Sequence, residues 1–290
     1  MGGVVVVTDS TASLAPGQAR EAGIEIIALQ VVLDGVSTPE GAPGATGADV
    51  AAALRAGRRV TTSRPSPDVF ATCYREAAEQ GAEAVVSVHL SGGISGTCDA
   101  ALLASRSAPL PVTVVDSRTV AMALGYAALS GAEAAAAGAT PLLVAERIRE
   151  RAGRSLAYFY VPTLEHLRRG GRIGAAQALL GSALAVKPLL TVADGVIRPY
   201  ERVRTAAKAL SRLEDLAVTG GAEAARDGEV EFAVHHLDDA EAATALGQRL
   251  IARMANAGQP RPHLVVAEMS AVLGVHVGPG TLGVVVSSRI

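Results

Sequence analysis

Val4-Val5-Val6-Val7-Thr8-Asp9-Ser10 starts on four β-branched residues and stops on three polar ones. A continuous apolar run closed by turn residues suits a strand buried on both faces, as in a parallel sheet. The pattern recurs at Ile24 to Val32, Ala84 to Val88 and Val112 to Val115, with helical stretches such as Asp68 to Gln80 and Met122 to Ala137 between. Strand and helix in alternation predict an α/β architecture with crossover connections. Functional residues in such folds gather at the carboxyl ends of the strands. Three polar clusters fall there: Thr8-Asp9-Ser10, Ser91 to Thr97, and Asp116-Ser117.

Beyond Arg154 the texture changes. Strands are expected at Leu156 to Val161, Leu189 to Val192, Glu229 to His236, Leu264 to Met269 and Leu282 to Val286, with helices at Ala206 to Ala217 and Ala240 to Ala257. Asp194-Gly195 reads as a hairpin turn leading into Ile197 to Tyr200. We therefore place a first α/β domain at residues 1–155 and a second at 156–290. Gly35 to Gly47, rich in Gly, Pro, Ser and Thr, reads as a surface loop.

Composition sets the outer limits. The chain has 290 residues, 49% of them hydrophobic and 19% charged, which is a globular balance. A net charge of −2 gives no bulk attraction to nucleic acid or to anionic lipid, so neither is expected as a partner. Of the 26 basic residues 24 are arginines. Cys73 and Cys98 suit a reducing compartment. The opening residues lack a basic n-region and reach Asp9 early, unlike a signal peptide. The alanine-rich stretch from Ala121 to Ala145 is interrupted by Glu133, several glycines and Pro141, so no membrane insertion is expected. A cytoplasmic protein follows.

Four constellations carry possible chemistry. Thr61-Thr62-Ser63-Arg64-Pro65-Ser66-Pro67 precedes the helix near Asp68; capping accounts for Ser66 and Pro67 but less well for the upstream hydroxyls. Ser91 to Thr97 is a glycine-rich hydroxyl loop between strand and helix, suited either to a tight turn or to an oxyanion. It has neither the lysine of a nucleotide P-loop nor the closing glycine of a nucleophile elbow. His276 lies in a segment too rich in glycine for mid-helix, between expected strands; it can be structural, donate to an anion or act as a base. His235 and His236 are adjacent on a strand and face opposite ways, so no metal site is expected. Leu167-Arg168-Arg169-Gly170-Gly171-Arg172-Ile173 reads as a solvated turn or as a docking patch for a partner.

Taken in order, Thr8-Asp9-Ser10-Thr11, Thr62-Ser63-Arg64-Pro65-Ser66-Pro67, Ile94-Ser95-Gly96-Thr97, Val115-Asp116-Ser117, Gly170-Gly171-Arg172-Ile173 and His276-Val277-Gly278-Pro279-Gly280 resemble the DegV family, the fatty-acid-binding subunits of bacterial fatty acid kinases. The resemblance covers essentially the whole chain. It implies a Rossmann-like parallel-sheet first domain, a second α/β domain, and a long-chain fatty acid such as palmitate buried between or within them. It also implies that Thr62 and Ser95 hold the carboxylate, with Ser63, Gly96 and Thr97 beside them. His276 would close the head-group site, directly or through water, and Arg172 would engage the kinase. That separate, ATP-dependent subunit would phosphorylate the carboxylate, which places the chain in phospholipid metabolism as a non-catalytic carrier with no cofactor besides its lipid. The sequence departs from the family's pattern at Ser91-Gly92 and at Cys98 after the Ser-Gly-Thr, both near the head group.

Two other readings compete. Ser95, His276 and a carboxylate such as Asp9 or Asp116 have the residue types of a hydrolase triad. Alternatively, the glycine loop is an anion nest for a small phosphorylated metabolite.

Overall fold

The valine run forms β1 (Val4–Asp9), an inner strand of a four-stranded parallel sheet, in the computed structural model, which describes residues 3–179 and 187–289. The chain continues through α1 (Pro16–Glu21), β2 (Ile24–Ile27), β3 (Gln30–Leu33), β4 (Val36–Pro39), α2 (Gly47–Arg55), β5 (Val60–Ser63) and α3 (Pro67–Glu79). Then come β6 (Ala84–His89), α4 (Thr97–Ser105), β7 (Val112–Asp116), α5 (Met122–Ala136) and α6 (Pro141–Arg154). The parallel sheet runs β2-β1-β6-β7, and all six residues of β6 are buried, as its apolar run requires.

After α6 the chain builds β8 (Leu156–Tyr160), α7 (Glu165–Arg169), β9 (Lys187–Ala193), β10 (Val196–Val203), α8 (Ala206–Ala224), β11 (Glu229–His236), α9 (Ala240–Asn256), β12 (His263–Glu268), α10 (Ala271–Val277) and β13 (Leu282–Arg289). These strands make a six-stranded sheet in the order β10-β9-β8-β13-β11-β12, antiparallel except between β11 and β12. Strands before residue 155 thus fall in other sheets than strands after it. Asp194 and Gly195 both have positive φ, 53° and 78°, as a two-residue hairpin turn between β9 and β10 demands.

Five layers result. Helices α3 and α4 cover one face of the parallel sheet, where Val7 and Val85 meet Phe70, Tyr74 and Ala100. Its other face, with Val6 and Val86, packs on α5 and α6, whose far side meets Ala157, Ala233 and Val285 of the six-stranded sheet. The remaining face of that sheet, with Phe232, Val234 and Val284, carries α8 and α9. This position explains why α5 is apolar over most of its length: Met122 to Ala128 are all buried between the two sheets, and only its C-terminal end, with Glu133, is exposed. Small residues let it come close, since a Cβ on Gly125 would lie 2.6 Å from the Ala12 carbonyl oxygen.

Several expectations are corrected. Ile24 to Val32 is two strands, not one. At Leu29 the chain leaves the parallel sheet, and its backbone N–H and C=O are taken by Ser10 Oγ (3.0 Å) and the Glu40 N–H (2.8 Å). Gly35 to Gly47 is not wholly loop: β4 starts at Val36 and completes a small antiparallel sheet, β4-β3-β5. Helix α8 runs on to Ala224 through Gly220 and Gly221, which allow close packing on Leu156 and Phe232. His276 does lie between two strands, β12 and β13, but in the last turn of a helix, α10, which its glycine-rich segment did not predict.

Candidate functional site

Thr62 sits on β5, the strand of the small sheet whose residues sequence reasoning placed in a pre-helix segment. Helix α10 brings His276 to it from the second half of the chain, and Thr62 Oγ1 and His276 Nε2 are 2.9 Å apart. The start of α10 is tied down twice. Ser270 Oγ accepts from the Leu273 N–H (3.4 Å), and Glu40 Oε1 accepts from the Val272 N–H (3.3 Å). Glu40 is itself hydrogen bonded by Ser10 Oγ. Gly274 permits the helix to sit against Leu237, and Gly278, with φ at 82°, ends it.

Burial holds the His276 imidazole down to a pKa of about 4, with the Arg172 guanidinium adding to the effect, so the ring is neutral at pH 7. Its Nδ1 is buried and has no hydrogen-bond partner. An unpaired acceptor is cheaper to bury than an unpaired N–H donor. The favoured tautomer therefore carries its proton on Nε2 and donates to Thr62 Oγ1. That leaves the Thr62 hydroxyl proton free to point at an anion. Gly170 makes the packing possible, because a Cβ there would lie 2.1 Å from His276 Nδ1.

Ser95 comes from the loop between β6 and α4. Its Oγ is 2.9 Å from Thr97 Oγ1, and its N–H donates to the Ser91 carbonyl (3.0 Å). Thr97 is fully buried, so it orients Ser95 from behind. The Arg64 guanidinium donates to the Gly96 carbonyl (3.2 Å), and a Cβ on Gly96 would overlap it. Further along the loop, Ser91 Oγ donates to the Gly195 carbonyl (2.6 Å), which docks the β9–β10 hairpin tip against the loop.

These pieces meet at one place. Thr62, Ser63, Ser95, Gly96, Arg172 and His276 share the wall of a polar cavity of about 270 Å³. Behind it runs a narrower channel of about 90 Å³ with aliphatic and aromatic walls, among them Phe159, Val192, Met269 and Val285. Ile94, Arg172, Leu273 and His276 line both, so polar and apolar volumes adjoin. Of the six ligand candidates, only Thr97 stands outside the polar wall. Arg64 lines it, although sequence reasoning treated that residue as part of a motif without a role. Its signal was available: an arginine directly after two candidate hydroxyl groups.

Arg172 is not a free solvated arginine. Its Nε donates to the Ile94 carbonyl (3.1 Å) and its Nη1 to the Gly170 carbonyl (2.8 Å). It therefore ties the Ser95 loop to the Gly170 turn while remaining exposed at the rim.

A hydrolase triad is not assembled. No carboxylate is hydrogen bonded to His276 among the described residues, and the partner of the Ser95 hydroxyl is Thr97. Asp116 accepts from the Gly92 and Arg118 N–H groups (3.1 and 2.8 Å). Asp9 is fully buried and belongs to another network: Oδ2 lies 3.0 Å from His89 Nδ1 and accepts from the Leu90 N–H, while Oδ1 accepts from Thr11. His89 Nε2 reaches Ser87 Oγ (2.7 Å), which accepts from the Tyr74 hydroxyl (2.9 Å). Ser87, His89 and Asp9 have triad order, but all are fully buried, so the network is a brace under the Ser91–Thr97 loop. Among the described residues, no group of His, Cys, Asp or Glu is placed to hold a metal ion, and no helix is long and apolar enough to cross a membrane.

Comparison with known proteins bears on the chain as a whole. A family model described as "Uncharacterised protein, DegV family" matches residues 3–289. A DegV domain-containing protein of Streptomyces coelicolor is 52% identical over 287 residues, 99% of each chain. A fatty-acid-binding DegV family protein of Thermus thermophilus superposes with a TM-score of 0.87 at 34% identity, over 99% of this chain and 100% of that one. DegV of Bacillus subtilis, described as a fatty acid binding protein, gives 0.87 at 32% identity, over 100% of both.

Proposed function

The chain belongs to the DegV family, and from that we propose that it binds one long-chain fatty acid and presents the carboxylate to a fatty acid kinase. The observation that carries this reading is the junction at Ile94, Arg172, Leu273 and His276, which line both the polar cavity and the apolar channel. A single amphiphile with an anionic head fits that pair of volumes. In this reading the carboxylate accepts from the Thr62 and Ser95 hydroxyls. The neutral His276 fixes Thr62, and Ser63, Gly96, Arg64 and Arg172 complete the wall. Hydrogen bonds to a charged acceptor are the stronger kind.

The tail supplies most of the driving force. Each buried methylene is worth roughly 0.8 kcal/mol, so a sixteen-carbon tail offers about 12 kcal/mol before ordering costs. A small phosphorylated metabolite would leave the channel without a partner, which favours the lipid. The chain's own role is non-catalytic: the kinase supplies ATP and transfers phosphate to the carboxylate, giving an acyl-phosphate. Arg172, exposed at the rim, is the residue offered to that subunit. Residue 155 remains our proposed boundary between the two domains.

Lipid identification on the protein purified from its own cells tests the reading. We expect a long-chain fatty acid at one per chain. Extracts free of lipid, together with no uptake of palmitate or oleate, would overturn it.

A further inference from the structure

A second cavity, of about 530 Å³, adjoins the polar one, and Thr62, Arg172 and His276 line both. Arg58, Arg59 and Arg169 complete its charged wall, and no carboxylate among the described residues lines it. The first two are placed by the way α2 ends. Gly57, with φ at 70°, closes the helix: its N–H donates to the Leu54 carbonyl (3.1 Å), and the Arg58 N–H to the Ala53 carbonyl (3.0 Å). The Asp34 N–H then donates to the Arg59 carbonyl (3.0 Å), which pins this turn to the small sheet. Both arginines are thus carried on a fixed turn just ahead of Thr62.

The wall keeps positive charge that the protein does not cancel. Arg58 is held by Asp34 (2.9 and 2.7 Å), and Arg169 shares Glu165 Oε1 with Arg168 (both 2.7 Å). Arg172 donates to neutral carbonyls, and no carboxylate among the described residues pairs with Arg59. Arginines elsewhere on the surface are matched more evenly: Arg212, Arg249 and Arg253 meet Glu201, Glu214 and Asp215. The net charge of the whole chain is −2, so the basic wall is a local choice. The two histidines beside it feel the field. Burial holds both His166 and His276 below the ordinary histidine value, and Arg169 acts in the same direction on the first, Arg172 on the second.

A fatty acid alone does not use this charge. Its carboxylate brings one negative charge, which the hydroxyls of Thr62 and Ser95 already meet. A phosphoryl group brings about −1.5 to −2 at pH 7 and three more acceptor oxygens, and the guanidinium fork matches its geometry. In acyl-phosphate formation a carboxylate oxygen bonds the terminal phosphorus of ATP, and the P–O bond to ADP breaks with its electron pair leaving on ADP. Before and after that step a phosphate lies one bridging oxygen from the head group. It needs room and positive charge there, and the basic cavity offers both. All four arginines are exposed, so a ligand can reach them.

We propose that the basic cavity is a phosphoryl subsite, in which Arg59 and Arg169, with Arg58 and Arg172, bind the phosphate of the nucleotide donor or of the acyl-phosphate product. This rests on the fatty-acid reading and adds a second anion site to the chain itself. The chain still makes no bond; it orients the group that the kinase transfers.

The test is calorimetric titration of the full chain. The probes are palmitate, inorganic phosphate, and the β-ketophosphonate of palmitate, in which CH2 replaces the bridging oxygen of the acyl-phosphate. A β,γ-imido analogue of ATP is added separately to the palmitate-loaded chain. At low salt the ketophosphonate should bind about tenfold more tightly than palmitate, with the gap narrowing as salt rises. Arg59→Gln and Arg169→Gln should each shrink that gap about three- to fivefold and leave palmitate affinity unchanged. Nucleotide binding that weakens in the same variants, with no gain for the ketophosphonate, would assign the subsite to the donor rather than to the product. The proposal is overturned if the ketophosphonate does not exceed palmitate and the nucleotide does not bind, or if the gain survives the double variant. Phosphate binding that depends on Arg59 in a chain that takes up no palmitate would leave the subsite standing and overturn the fatty-acid reading.

Discussion

His276 Nδ1 rests against the bare Cα of Gly170, close enough that any side chain at that position would collide with the ring. The glycine of the arginine turn is thus packed directly on a residue of the proposed head-group site. It sets how near α10 can come to that turn, and so where the imidazole meets Thr62.

Gly170→Ala should therefore act on binding through His276. Overpacking of this kind typically costs about 1–3 kcal/mol. We expect a lower melting temperature and a parallel loss of fatty-acid retention, read by differential scanning calorimetry and by native mass spectrometry. Wild-type lipid occupancy would show that the imidazole does not depend on this contact.

Thr62→Val removes the hydroxyl and keeps the shape. Loss of a hydrogen bond to a charged acceptor is worth about 1.5–3 kcal/mol, so affinity should fall by one to two orders of magnitude. Thr62→Ser should recover most of it, and Ser95→Ala should show a loss of similar size. Isothermal titration with palmitate gives the answer. Unchanged affinity in both Thr62→Val and Ser95→Ala would remove these residues from the carboxylate site.

Arg172→Ala separates holding from handing over. The guanidinium is exposed, so its attraction for the carboxylate is screened and worth about 1 kcal/mol or less. Fatty-acid affinity should drop only several-fold, while acyl-phosphate formation with the cognate kinase drops far more. The opposite pattern would make Arg172 a head-group residue rather than a docking one. The same variant should raise the His276 pKa above about 4, since the neighbouring positive charge is one of its two causes. An NMR titration of the ring follows this directly.

Stability should depend on pH through two buried histidines. His276 and His235 each have a folded pKa of about 4 against an ordinary histidine value of 6.5. Between those values the unfolded chain binds more protons than the folded one, so stability falls as pH drops through this window and levels off below it. The loss is about 3 kcal/mol per histidine as an upper bound. Urea unfolding at pH 7, 5.5 and 4 should show it, and His235→Phe should flatten the trend. A pH-independent midpoint over that range would contradict the burial argument.

Asp9→Ala should cost about 3 kcal/mol or more, because it leaves His89 and the Leu90 N–H without their buried partner. The expected signature is a lowered urea midpoint by circular dichroism. A neutral substitution would mean that the Asp9–His89–Ser87–Tyr74 chain does not brace the loop.

The parallel sheet was legible because its strands are short apolar runs closed by polar residues. Thr8-Asp9-Ser10 and Ser91 to Thr97 do lie at its carboxyl edge. The β9–β10 turn was legible for a similar local reason, since Asp-Gly favours the positive φ values found there. The helical setting of His276 was not. Gly274 argues against a helix by propensity, and only the close packing on Leu237, a tertiary fact, overrides it. Nor was the small sheet visible, because β3 follows β2 with no turn residue to mark the change of sheet. The polar cavity itself joins β5, the Ser95 loop, the Gly170 turn and α10, which are far apart in sequence. Spacing within one segment carries no trace of such a meeting.

Helix α5 touches both large sheets, and this limits how the molecule can breathe. A clamshell opening of the two halves would bare the buried residues Met122 to Ala128 of a helix whose exposed part is confined to its C-terminal end. On the fatty-acid reading, entry and exit of the acyl chain fall to small parts at the rim: the hairpin tip latched by Ser91, the turn stapled by Arg172, the short α10. Amide hydrogen exchange should find those parts quick and α5 among the slowest. The protein would then work as a rigid case with a hinged lip.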